Sequence, residues 1–180
     1  MYFDEEYRSV MKFRNMKIIG ALLVVLINLL GAQAAKASPL EEAYMANLDK
    51  YVNEVILEAE KFRKVGTFPP NPSSLTSAKY KATVKNMIRS IDKMTVTLRK
   101  LEALTAPESS ENLEIFLKGY VKSWLELNAL YKKGLAPKFK WTEASIQQIL
   151  DLRIMTQKYL DEMNREYTEY VARLQAPPTD

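Results

Sequence analysis

Cysteine and histidine are both absent from the 180 residues. Without cysteine, the chain has no disulfide, no thiolate metal site and no thiol nucleophile. Without histidine, it also lacks the Ser-His-Asp and Cys-His catalytic arrangements, the Glu-x-x-His pairs of di-iron bundles and the Cys-x-x-Cys-His motif of covalent haem. We therefore predict that the protein is not an enzyme and that it holds no metal ion and no cofactor.

Glycine is scarce as well, with five residues in the chain and only three after residue 34. Because these three, Gly66, Gly119 and Gly134, lie far apart, there is no Gly-rich phosphate-binding loop. Gly66 and Gly134 stand where helices are expected to end, which predicts left-handed caps. Gly119 falls inside an expected helix, which indicates a close approach of another helix or a gap beside it.

The chain also lacks a strong excess of one charge. It has 26 basic and 22 acidic residues, a net charge of +4. A balance this small does not by itself indicate a nucleic-acid partner, and none is expected.

One long apolar run lies within residues 18–35, and small residues follow it. The bases that precede it are Arg8, Lys12, Arg14 and Lys17. Bases on one side of such a run stay in the cytoplasm, while Ala32 and Ala34 fit the small-x-small rule of signal peptidase. We predict that residues 1–34 are a signal peptide cleaved between Ala34 and Ala35, with a second site before Ser38.

An uncleaved membrane anchor is the alternative for this segment. The run is 18 residues long, near the lower limit of the ~17 to 25 residues of a membrane-spanning helix, which favours cleavage. If it stays uncut, residues 18–35 are the only membrane contact we expect. Translation from Met11 or Met16 would leave a compact basic segment before the run, so we expect a start downstream of Met1.

Eight prolines divide the rest of the chain into four long segments that can be helical. The predicted helices span about 40–65, 74–104, 106–133 and 142–174. Each has apolar residues at alternating steps of three and four, as in a heptad seam. In the second segment the seam residues are Tyr80, Val84, Met87, Ile91, Met94, Leu98 and Leu101. In the fourth segment the seam is looser around Thr156 and continues through Tyr159 and Met163.

Short connections between long helices favour antiparallel neighbours. We predict an all-α domain over residues 35–176, an antiparallel up-down-up-down four-helix bundle, followed by a disordered tail at 177–180. Thr105 and Glu108 form a predicted capping box, and Thr142 is a predicted N-cap. Such seams would equally suit a dimer of helical hairpins, so the oligomeric state stays open.

The second helix carries an unusual excess of bases, seven against two acids between residues 73 and 104. Lys81, Lys85, Arg89 and Lys93 step by four and form a ridge, called here the basic ridge. One interpretation is a docking surface for a protein or an anionic envelope component, such as an acidic polymer or lipid headgroups. The other is charge complementarity with the acidic first helix.

Aromatic residues concentrate in the third and fourth helices. Tyr120, Trp124 and Tyr159 could line a pocket for an apolar or aromatic small molecule, because bundle cores can hold ligands. The alternative interpretation is ordinary core packing.

Acidic residues also recur at helical spacing, and the residues concerned are Glu54, Glu58, Glu162, Glu166 and Glu169. They fit either a hard-cation or acid–base site or, as we favour, solvated helix faces with nearby bases.

Together these patterns predict a bacterial protein of the periplasm or a secreted one, acting as a binding or scaffold module of the cell envelope without catalytic activity. The alternative function is a ligand-binding or sensory four-helix bundle for an apolar or aromatic small molecule. A third hypothesis, a membrane-anchored protein with the bundle outside the cytoplasm, depends on an uncleaved apolar run.

Overall fold

The computed structural model describes residues 38–66, 68 and 77–175, without the side chains of residues 109, 174 and 175. The predicted signal peptide or anchor, its cleavage site at Ala34 and Ala35, and the tail at 177–180 lie outside these residues. Within the described residues, all regular structure is helical and there is no β-strand. None of the helices in this part has the length and hydropathy of a membrane span.

The described residues form four long helices: α1 Pro39–Val65, α2 Ser77–Glu102, α3 Glu111–Gly134 and α4 Glu143–Gln175. A 3-10 turn, Glu108–Ser110, precedes α3. The all-α prediction is confirmed, and the helix bounds agree with it to within three residues except at the start of α3, which begins five residues later than predicted.

Side-chain caps fix the starts of α1 and α4. Ser38 Oγ accepts a hydrogen bond from the Glu41 amide at 3.3 Å, and Glu41 Oε2 accepts one from the Ser38 amide at 2.8 Å. At α4, Thr142 Oγ1 accepts from the Ser145 amide at 3.2 Å, while Ser145 Oγ accepts from the Thr142 amide at 2.9 Å. Each pair satisfies two amides that a helix start leaves without intrahelical partners, and the prediction for Thr142 is confirmed.

The capping box predicted at Thr105 and Glu108 is wrong. Pro107 has an extended backbone (φ −61°, ψ 150°), and the 3-10 turn after it has no side-chain cap. A residue before proline avoids helical backbone angles, so Ala106 cannot serve as the first helical residue after a cap at Thr105. The helix therefore starts only beyond the 3-10 turn.

The two glycines expected at helix ends behave differently. Gly66 has φ +154° and ψ −172°, a positive φ but not the left-handed helical conformation that we predicted. Gly134 is the last residue of α3 and has no positive φ, so the predicted left-handed cap there is wrong. A Cβ at 134 would overlap the Trp141 indole, so this glycine makes room for a ring rather than for a turn.

Contacts between neighbouring helices establish an antiparallel bundle, because the residue numbers rise along one helix as they fall along the next. For α1 with α2 these contacts are Glu54–Thr97 and Glu58–Lys93. For α2 with α3 they are Asp92–Lys132 and Thr95–Asn128, and for α3 with α4 Gly119–Tyr159 and Ser123–Thr156. The Tyr170 hydroxyl on α4 donates a hydrogen bond to Glu41 Oε1 on α1, which links the last helix to the first.

The heptad residues form the core between these helices. Five of the seven seam residues predicted in α2 are buried. In α3 the apolar steps of three and four fall on six residues, all of them buried: Leu113, Leu117, Tyr120, Trp124, Leu127 and Tyr131. Thr156, where the α4 seam is loose, is buried, and its single hydroxyl proton is shared between Leu152 O at 2.7 Å and Ser123 Oγ at 3.0 Å. Its hydroxyl is therefore satisfied within the core.

The same contacts show that α2 is displaced along the bundle. Asp92 lies opposite Lys132 and Lys93 opposite Glu58, so Ser77–Lys85 continues past the ends of α1 and α3. These nine residues, called here the α2 overhang, extend the helix by about 13 Å at ~1.5 Å per residue. The first buried residue of α2 is Met87. The predicted seam residues Tyr80 and Val84 are only half-buried, because none of the described helices lies opposite them.

Candidate functional site

A surface groove of about 610 Å³ runs between α1 and α2. Its lining consists of apolar side chains along the centre, bases from α2 and acids from both helices. Residues from α1 are Glu54, Leu57 and Glu58; those from α2 are Lys85, Ile88, Arg89, Asp92, Lys93, Val96 and Thr97.

The apolar part of the groove is unusually exposed. Leu57 is 52% exposed and Val96 is 58% exposed, and Ile88 beside them is half-buried. Single exposed apolar residues are common on protein surfaces, but several facing one groove indicate an interaction site. Sequence analysis missed these three residues because they lie off the heptad seam. The available signal was an eight-residue spacing of β-branched residues, Ile88 and Val96, on one side of α2.

Three of the four basic-ridge residues, Lys85, Arg89 and Lys93, line this groove, whereas Lys81 lies one turn farther along the α2 overhang and does not. Lys93 Nζ is 3.8 Å from Glu58 Oε1, the one ion pair between the basic ridge and α1 among the described residues. Lys85 and Arg89 have no ion-pair partner in the described part of the chain. Charge complementarity with α1 therefore accounts for Lys93 but not for its two neighbours.

The acids of the groove, in contrast, already have hydrogen-bond or ion-pair partners within the bundle. Glu54 Oε2 accepts a hydrogen bond from Thr97 Oγ1 at 3.3 Å, and Glu58 lies 2.6 Å from Lys61 as well as near Lys93. Asp92 Oδ1 is 2.7 Å from Lys132 Nζ on α3. The groove thus combines exposed apolar groups with cations that lack partners, an arrangement that favours a ligand with both apolar and anionic groups.

The three residues of the predicted aromatic pocket differ in how far they are buried. Tyr120 and Trp124 are buried, 1% and 6% exposed, and lie one turn apart on α3. Tyr159 is only half-buried, and its ring lies against Gly119, where a Cβ would be 2.7 Å from Tyr159 Cζ. Gly119 thus marks a close helix approach, the first of the two roles that the sequence left open.

Buried polar atoms without partners follow one side of α3. The Tyr120 hydroxyl, Trp124 Nε1 and Asn128 Oδ1 have no hydrogen-bond partner within the described residues. Burial raises the pKa of Tyr120, and the Trp124 indole, which lies near the Tyr120 hydroxyl but without the geometry of a hydrogen bond, lowers it in part. Polar atoms in such a position usually bond to water or to a bound molecule, so this stripe is the strongest structural support for a site in the core.

The acids at helical spacing on α4 surround a base. The Arg165 guanidinium lies 2.9 Å from Glu162 and from Glu166, and 3.1 Å from Glu169. This arrangement is the charge-balanced helix face that the sequence pattern favoured, but Glu166 is only 5% exposed, so this acid is buried beside Arg165 rather than solvated as we predicted.

The chain matches no protein-family model, no curated protein and no solved structure. Its function is therefore inferred from its own residues.

Proposed function

We propose that the protein is an exported, non-catalytic binding or scaffold module of the bacterial cell envelope, which captures a partner in the groove between α1 and α2. The observation that carries this proposal is the combination of exposed Leu57 and Val96 with Lys85 and Arg89, two bases without ion-pair partners among the described residues. Residues 1–34 support the proposed export to the cell envelope, because they have the layout of a secretory signal.

The shape of the groove suits an amphipathic helix of a protein partner. Ile88 and Val96 lie eight residues apart, about 12 Å along α2, which matches two apolar side chains spaced by two turns of a docked helix. Lys85 and Arg89 lie on the α2 side, where they would pair with acids on one flank of that helix. Apolar anchors would supply most of the affinity, and the charges would set orientation and association rate.

Site-specific photo-crosslinking in the producing cells tests this proposal. A photoreactive residue is placed at Leu57 or at Val96, and the matched controls carry it at Ile115 or Ile154, which are 58% and 66% exposed but lie on α3 and α4. We expect a discrete protein adduct from the two groove positions and none from the controls. In the crosslinking chain, Lys85→Glu together with Arg89→Glu should remove the adduct while the circular dichroism spectrum stays helical.

Two results would contradict the proposal. The first is equal crosslinking from groove and control positions, which would indicate random collision. The second is an adduct that still forms after the double charge reversal, which would show that the basic ridge is not part of the binding surface.

A second candidate function, a ligand-binding or sensory bundle, is favoured by the unpartnered Tyr120 hydroxyl and Trp124 Nε1 in the core. It predicts that native mass spectrometry of freshly isolated protein shows excess mass, and that the compound removed from it raises the melting temperature when added back. Trp124→Ala should abolish that shift. A protein that is always isolated empty, and that no apolar or aromatic compound stabilises, would eliminate this function.

A further inference from the structure

Charge is separated along the long axis of the bundle. One end comprises the described residues 60–66, 68, 77–82 and 131–143, and it contains nine bases and two acids. We call it the basic end. The opposite end, residues 38–50, 99–118 and 161–175, contains eleven acids and six bases. The two ends therefore differ in sign, although the whole chain is nearly balanced.

Aromatic contacts hold the basic end together. Phe62 at the end of α1 stacks on Tyr131 at the end of α3, with ring centroids 5.0 Å apart. Phe68 packs edge-on against Trp141 at 5.2 Å, and Phe139 against the same indole at 4.9 Å. Phe68, Phe139 and Trp141 are half-buried, so each ring keeps part of its surface at the tip of the bundle.

Several bases of this end are available to an external anion. Arg63, Lys81, Lys138 and Lys140 are exposed and have no ion-pair partner among the described residues. Lys138 and Lys140 flank Phe139 and precede Trp141, so the connection between α3 and α4 alternates bases with aromatic rings. The α2 overhang places Lys81 at the same end, because it continues past the ends of α1 and α3.

We propose that the basic end docks on an anionic membrane surface. Bases at the tip would lie at the level of the lipid phosphates, each contributing attraction within a Debye length of the surface. Aromatic rings, Trp in particular, prefer the interface between headgroups and acyl chains, and a soluble polyanion offers them no such region. This contact involves a different surface from the groove, and it adds a membrane contact beyond the residues 18–35 that the sequence predicted.

Vesicle co-sedimentation tests this proposal. The full chain is mixed with vesicles of phosphatidylcholine, either pure or with about one third phosphatidylglycerol. We expect binding to the anionic vesicles, weakening as salt is added, with a blue shift of tryptophan emission as Trp141 leaves water. Lys138→Glu with Lys140→Glu should lower the partition coefficient by about tenfold or more.

The matched control is Lys122→Glu with Lys158→Glu. It makes the same change in net charge at two exposed lysines on the sides of α3 and α4, away from the basic end. This control should keep most of the binding. An uncleaved anchor would bind pure and anionic vesicles alike and would act equally in both variants, so it cannot produce the expected difference.

Three outcomes would overturn the proposal. Binding to anionic vesicles that Lys138→Glu with Lys140→Glu leaves unchanged would exclude recognition of lipid charge by the basic end. Equal losses in the two double variants would assign the effect to net charge rather than to the basic end. Binding to a single-stranded nucleic acid or an acidic polymer in solution, without binding to anionic vesicles, would identify a soluble polyanion as the ligand. None of these outcomes bears on the groove, which the crosslinking experiment tests separately.

Discussion

Gly119 on α3 lies directly against the ring of Tyr159 on α4. A Cβ at position 119 would lie 2.7 Å from Tyr159 Cζ and closer still to two other ring carbons, nearer than real Cβ atoms approach other heavy atoms. The missing side chain therefore lets α3 and α4 approach, at a cost in helix propensity of ~1 kcal/mol relative to alanine.

The first prediction concerns this contact. Gly119→Ala should destabilise the protein by about 1–3 kcal/mol, because the overlap with the ring outweighs the gain in helix propensity. In a Tyr159→Ala background the same substitution should stabilise it by up to ~1 kcal/mol, because the overlap is gone. Urea unfolding of the four proteins measures both changes. The same sign in both backgrounds would mean that the ring is not what excludes a side chain at position 119.

The second prediction concerns alkaline stability. Burial, followed by the charges of Glu114 and Tyr170, raises the pKa of Tyr44 to about 12, and burial, followed by Asp49, does the same for Tyr167. Both phenols keep their protons in the fold at a pH where the unfolded chain has lost them. They therefore cost no stability below pH ~10, and stability falls as pH rises from there to about 12.

Tyr44→Phe should raise the midpoint of alkaline unfolding by about half a pH unit, and by more when combined with Tyr167→Phe. At neutral pH it should be nearly neutral, because the Tyr44 hydroxyl has no hydrogen-bond partner in the described part of the chain. Ellipticity followed from pH 8 to 12.5 gives the midpoint, with Tyr51→Phe at a half-buried position of the same helix as the control. A lower midpoint in Tyr44→Phe would contradict the prediction.

The third prediction concerns Glu41, which links two helices through one carboxylate. Its Oε2 accepts from the Ser38 amide at 2.8 Å, and its Oε1 accepts from the Tyr170 hydroxyl at 2.9 Å. Tyr170→Phe should cost about 1–2 kcal/mol, and Glu41→Ala more, because it also removes the carboxylate that accepts from the Ser38 amide in the α1 capping box.

A double-mutant cycle separates the two contributions to this contact. The coupling between Glu41→Ala and Tyr170→Phe should be about 1 kcal/mol, measured by denaturant unfolding, while coupling between Glu41→Ala and Tyr167→Phe should be close to zero. Full additivity for the first pair would show that this hydrogen bond does not contribute to stability in solution.

The fourth prediction concerns the α2 overhang. Val84→Ala should cost less than about 1 kcal/mol, whereas Ile91→Ala, on the same predicted seam but 1% exposed, should cost about 2–4 kcal/mol. Amide hydrogen exchange should be fast from Ser77 to Lys85 and slow from Met87 to Leu101, because only the second stretch is packed between helices. Similar protection from exchange in both stretches would contradict this prediction, because it would show that another part of the chain packs against the overhang.

Proline spacing and heptad steps predicted the four helices because both are local properties of the chain. They also placed Met87, Ile91 and most other seam residues in the core. The exceptions have tertiary causes. Tyr80 and Val84 keep the seam pattern, but α2 is displaced so far that no helix among the described residues lies opposite them. Similarly, the seam pattern favoured Tyr159 for the core of α4, but the structure buries Leu160 there and sets the Tyr159 ring against Gly119.

The groove and the basic end could be predicted only in part for the same reason. The step of four from Lys81 to Lys93 located the basic ridge on one side of α2. Which of these bases meet acids depends on the longitudinal register of α2 against α1, and that register is fixed by packing rather than by any single segment. The basic end brings together residues from all four helices, so no pattern within one of them reveals it.

The separation of charge between the two ends gives the bundle a permanent dipole moment. Antiparallel helices largely cancel one another's macrodipoles, so this moment comes from side chains and is directed along the long axis. Near an anionic surface the local field exerts a torque on it, which turns the basic end toward the surface before any residue makes contact. Because the field decays over ~10 Å at 0.1 M ionic strength, such reorientation would operate only at the last stage of an encounter.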